Sequence, residues 1–179
     1  MKTKVSLLTL ILSIWTLSLY AGEVSTNRPF EAGKYFQEGE EMPTTAYPKG
    51  RSSSGMLEIV NTPTGQEIRM NAMHRTNTQN PEEGSLVNSI WNYVIFESLD
   101  GQSTVIGVGN MGNYRVGVVE PKDGENFDLL LEGHSSALGA GVKTKYSYQK
   151  IKNGYELTGY HQDAKTKEWK TYKKSTYLL

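Results

Sequence analysis

Lys145-Tyr146-Ser147-Tyr148-Gln149-Lys150-Ile151-Lys152-Asn153-Gly154-Tyr155-Glu156-Leu157-Thr158-Gly159-Tyr160 is the stretch that decides the fold. Two runs of strand-type residues, 142–151 and 155–160, flank the dipeptide Asn153-Gly154. Asn and Gly both accept the positive φ of a type I′ turn, so the pair predicts a tight antiparallel hairpin. Side chains alternate along a strand, which puts Tyr146 and Tyr148 on one face.

The same texture extends outward. Short runs rich in β-branched and aromatic residues predict strands near 57–60, 68–72, 90–96, 104–108, 114–119, 127–131 and 169–178. Turn signals separate them: Thr62-Pro63-Thr64-Gly65, Leu99-Asp100-Gly101-Gln102, Asp123-Gly124 and Asp163-Ala164-Lys165-Thr166. The polar stretch 75–84 reads as a loop. Only 85–98 has any helical character, and its two-sided apolar run suits a central strand better. Connections this short favour a meander over parallel crossovers. The expectation is an all-β, antiparallel domain over 56–179, a single barrel or sandwich of about eight or nine strands.

Residues 23–55 lack period 2 or 3.6 and carry Pro29, Pro43, Pro48 and Arg51-Ser52-Ser53-Ser54-Gly55, so they read as an extended or poorly ordered arm. Before them, Met1-Lys2-Thr3-Lys4 leads into an apolar run from Val5 to Tyr20 and then Ala21-Gly22. A charged start, an apolar middle and small residues at the end are the layout of a signal peptide over 1–22. Ser6, Thr9, Ser13, Thr16 and Ser18 interrupt the run, which makes it a poor permanent anchor. The chain is therefore expected to be exported, periplasmic or extracellular, with no membrane attachment after cleavage.

Composition removes whole classes of chemistry. The chain has no cysteine, hence no disulfide, no thiol nucleophile and no Cys-ligated metal. Nineteen basic residues balance nineteen acidic ones, which gives no polyanion-binding excess and no expectation of nucleic acid. The balance is uneven: 82–142 carries Arg115 and Lys122 against nine carboxylates, and 143–179 carries nine lysines against three. Those lysines are interleaved with strand residues, as expected of charges that block edge-to-edge association.

Three motifs fail their chemistry. Gly107-Val108-Gly109-Asn110-Met111-Gly112 has dinucleotide-binding spacing, but a strand follows where the mechanism needs a helix N-terminus. It reads as a glycine-rich hairpin that lets something approach the backbone. Gly133-His134-Ser135-Ser136-Ala137 departs from a nucleophile elbow at Ala137 and lacks the α/β context. His74, His134 and His161 share no metal-ligand spacing. No catalytic residue, metal site or cofactor is expected, and an enzyme is the least favoured reading.

The remaining candidates are binding residues: Ser135 and Ser136 in a small-residue loop, and Tyr146, Tyr148, Tyr155 and Trp169 on the C-terminal hairpins. Tyr and Trp combine an apolar body with a polar handle, which suits ligand and protein contacts. The segment 135–160, about 26 residues, resembles the C-terminal hairpins of small exported bacterial proteins, periplasmic lysozyme inhibitors among them, although it lacks their Ser-Gly pair. That resemblance implies a protein-binding module of inhibitor or immunity type, directed at an extracytoplasmic hydrolase. The alternative is a small-ligand carrier with a lipocalin-like barrel. Partner and oligomeric state stay open at this level.

Overall fold

Inward and outward side chains alternate through ten antiparallel strands in a computed structural model, which describes residues 27–43, 48–76, 86–135 and 138–179. The strands are β1 Gly33–Glu41, β2 Arg51–Thr62, β3 Gly65–Thr76, β4 Leu86–Glu97, β5 Ser103–Gly109, β6 Tyr114–Pro121, β7 Phe127–Ser135, β8 Gly139–Ile151, β9 Gly154–Gln162 and β10 Trp169–Leu178. Each pairs with its sequence neighbours, and β1 pairs with β10, so the meander closes into a barrel. Closure removes every free edge. The expected hairpin between β8 and β9 is present, but its two turn residues are Lys152 and Asn153. Ile151 pairs with Gly154, which already belongs to β9, and Asn153 does not adopt a positive φ, so the type I′ turn expected at Asn153-Gly154 does not form. The expected signal segment 1–22 lies outside the described residues, as does most of the expected loop 75–84.

One more strand is present than the upper expectation, and it comes from the stretch expected to be an arm. The nine residues Gly33–Glu41 form β1, and β2 already starts at Arg51. These strands elude an apolar–polar pattern because their inward positions toward one end are polar: Gln37, Glu41, Arg51 and Ser53 are buried or nearly so. Outward Phe36 is exposed instead. Of the region 85–98, Leu86–Glu97 form strand β4, with no helical turn among the described residues.

The two ends of the barrel differ. At the floor, the segment before β1 crosses the opening and inserts Phe30. Its ring lies edge-on to Phe127 and Tyr148, both at 4.8 Å, and to Tyr155 at 5.4 Å. The backbone there is satisfied by fully buried Gln66, whose Oε1 accepts from Phe30 N at 3.1 Å and whose Nε2 donates to Phe30 O at 2.6 Å. Tyr155 OH accepts from Glu31 N at 2.8 Å, and Tyr35 OH donates to Glu31 O at 2.7 Å. Ile59, Ile68, Ile95, Val105, Val119 and Leu129 fill the apolar layer with these rings. The other end, the mouth, is where the odd-numbered strands end and the even-numbered ones begin.

The glycines of the false dinucleotide motif have a packing role. Gly107 lies opposite Tyr93 and Gly109 opposite Trp91. The two rings stack on each other, with centroids 5.3 Å apart, and lean across the bare backbone of β5. A methyl group on Gly107 would overlap the Tyr93 ring. Overpacking of this kind costs about 1–3 kcal/mol. Gly107→Ala is therefore expected to lower unfolding free energy by about that amount in a urea titration; an unchanged midpoint would contradict this placement of the ring.

Candidate functional site

The interior above the floor is not filled by side chains. Interior width grows with strand number, and about eight strands already suffice to hold side chains alone. In this ten-stranded barrel about 80 Å³ of free space remains, bounded below by Leu129, Leu157 and Tyr148 and above by charged and hydroxyl groups. A water needs roughly 10–15 Å³ on such a measure, so the space matches a few waters or one compact ligand, not a long lipid.

One wall of the mouth carries an ionic cluster. Glu41 on β1 lies in register with Arg51 on β2 and with Lys173 on β10. Arg51 donates to Glu41 Oε2 from Nε at 2.8 Å and again from Nη2. His74 Nδ1 is 3.5 Å from Glu41 Oε1. Burial alone would raise the Glu41 carboxyl, but Lys173, Arg51 and His74 outweigh it and hold it below the usual range. Burial, with Lys173 and Arg51 adding to it against Glu41, pushes the His74 imidazole down to about 4. At neutral pH His74 is therefore uncharged and the Glu41–Arg51 pair is an internal salt.

The opposite wall carries a single cation. β6 is five strands from β1 in either direction around the barrel, and Arg115 points inward from it, 2% exposed. Its Nη1 donates to Thr144 Oγ1 at 2.6 Å. Its guanidinium lies 5.5 Å from the Trp91 ring and 5.8 Å from the Tyr146 ring, a cation–π setting. Its Nε has no hydrogen-bond partner, and among the described residues Arg115 forms no ion pair. Tyr146 OH and Tyr172 OH are hydrogen-bonded at 2.7 Å. Burial raises the Tyr93, Tyr148 and Tyr172 hydroxyls well above their ordinary range, so these groups stay protonated.

Four of the six residues singled out from sequence face this interior. Ser135 is buried at the mouth end of β7, Tyr146 and Tyr148 line the free space from β8, and Tyr155 sits in the floor. Trp169 does not join them: it lies on the outer surface with Lys145, whose Nζ is 5.4 Å from its ring. Ser136 lies outside the described residues. Sequence reasoning missed Arg115, Glu41, Arg51, His74, Thr144, Tyr172 and Lys173. Arg115 alone left a signal, a charge placed inside an otherwise apolar strand. Among the described residues no three His, Asp or Glu side chains are grouped to hold a metal. In comparisons with known proteins, the chain matches no family model, no curated protein and no solved structure.

The His74 shift sets a pH dependence of stability. A histidine held neutral in the fold but ordinary when unfolded takes up its proton in the unfolded chain first, so stability falls as pH drops from about 6.5 toward about 4 and levels off below. At about 1.4 kcal/mol per unit, the loss is of order 3 kcal/mol. His161, also lowered chiefly by burial, acts in the same direction. Thermal midpoints measured between pH 7 and pH 4 are expected to fall, and His74→Gln is expected to flatten most of that slope; an equally steep slope in the variant would contradict the buried neutral imidazole.

Proposed function

We propose that the protein is an exported, non-catalytic carrier that binds one small ligand inside its barrel. The observation that carries this reading is the unfilled mouth half of the interior, walled by aromatic rings and by buried polar groups with unused hydrogen-bonding capacity. A concave site with an apolar lining and a few converging polar groups is the usual form of a small-molecule pocket. A closed floor and a polar mouth also give the interior a direction, with a greasy end and a hydrated end.

The competing reading, a protein-binding module directed at an extracytoplasmic hydrolase, needs Ser135, Tyr146, Tyr148 and Tyr155 on a docking surface. Their inward orientation favours the carrier. None of these four is exposed; Trp169, the candidate that does lie on the outer surface, has its ring engaged by Lys145.

Native mass spectrometry of the protein, isolated from its own cells without denaturant, separates the two. The carrier reading predicts an added mass of at most a few hundred daltons, lost on denaturation. An added mass of protein size, or a bare chain under the gentlest conditions, would contradict it.

A further inference from the structure

The interior carries more positive than negative charge, and the excess is concentrated in a side chain that the fold does not use. Arg51 is neutralised by Glu41. His74 is uncharged at neutral pH. Lys173 stands in register with Glu41 but forms no ion pair within 4 Å among the described residues. Arg115 stands on the far wall with no carboxylate within 4 Å among those residues, and Glu41 acts on it only from a longer range. Burying an unpaired charge is strongly unfavourable, and a guanidinium cannot relieve the cost by losing its proton.

The orientation of the guanidinium is specific. Thr144 occupies Nη1, and Trp91 and Tyr146 flank the group. What remains is the edge formed by Nε and Nη2, where Nε is wholly buried and unpartnered. Two parallel N–H groups on one guanidinium edge match the two oxygens of a carboxylate. Protonated tyrosine hydroxyls nearby can donate further hydrogen bonds to an anion and offer no negative charge to repel it.

Building on the carrier reading, we infer that the ligand is a compact organic carboxylate, its acid group paired side-on with the Nε–Nη2 edge of Arg115 and its apolar body lying toward Trp91, Tyr93 and Leu129. The free space of about 80 Å³ limits that body to a single ring or a short chain. Lys173 and the Glu41–Arg51 salt at the opposite wall leave the site net positive, which draws an anion in and disfavours a neutral or cationic analogue.

Isothermal titration of the full chain with benzoate, hexanoate, benzamide and hexanol tests this. The two acids are expected to bind about tenfold or more tightly than their neutral counterparts, the equivalent of one charge-assisted hydrogen-bonding edge. Arg115→Lys keeps the charge without the fork, so it is expected to retain the preference for acids with weaker binding. Arg115→Met is expected to abolish the preference while its ligand-free thermal midpoint equals or exceeds that of the parent, because it removes a buried charge that the fold leaves unpaired. A merely structural Arg115 would instead lower that midpoint, and this result would overturn the inference. Equal binding of acids and neutral analogues would overturn it too, leaving the carrier reading intact. No heat from any of the four compounds, with no shift in thermal midpoint, would count against both.

Discussion

A guanidinium enclosed by protein must be solvated by something, and around Arg115 the protein supplies only part of what is needed. One hydroxyl and two aromatic faces hold the group in place. They leave its buried Nε without a hydrogen-bond partner, and no carboxylate is in ion-pair contact with it among the described residues. A carboxylate from the opposite wall would have completed it, yet Glu41 is committed to Arg51. The rest of the interior follows from this arrangement: a second cation at Lys173, a histidine kept neutral, and hydroxyls kept protonated. The fold carries this destabilising feature and must offset it elsewhere, as proteins commonly do at functional sites.

The offset comes from the floor. Phe30, delivered by the segment ahead of β1, closes the barrel and joins a cluster of rings from β7, β8 and β9. Edge-to-face contacts of this kind add about 0.5–1.5 kcal/mol each beyond the area they bury. Their placement at one end matters as much as their strength. Apolar packing there lets the other end remain polar and partly empty without loss of a continuous core. The bare backbone at Gly107 and Gly109 extends the same economy of space, since it lets Trp91 and Tyr93 lie against the wall and not across the interior.

Fold class was legible because most strands obey a simple rule. Where the inward face is apolar and a turn signal marks the strand end, as at β3, β7, β8 and β9, periodicity and turn position agree, although the turn between β8 and β9 falls on Lys152 and Asn153, one residue earlier than the Asn-Gly pair implies. The rule fails at β1 and at the first half of β2. There the inward residues are Gln37, Glu41, Arg51 and Ser53, so burial and hydrophobicity no longer coincide. These are also the strands that build the polar mouth. The site was therefore least legible where it is most developed. The tyrosines of β8 could be found because aromatic residues stand out in composition, but their facing inward depends on closure of β1 onto β10, a pairing between distant parts of the chain. The unpaired state of Arg115 is likewise visible only once the opposite wall is in place.

The measurement that bears most directly on the account is a crystal structure of the protein isolated from its own cells without denaturant. The account predicts density for a small molecule in the barrel, with two oxygens about 3 Å from Nε and Nη2 of Arg115. A carboxylate of the chain itself seated on that edge, or an interior closed by side chains, would contradict it.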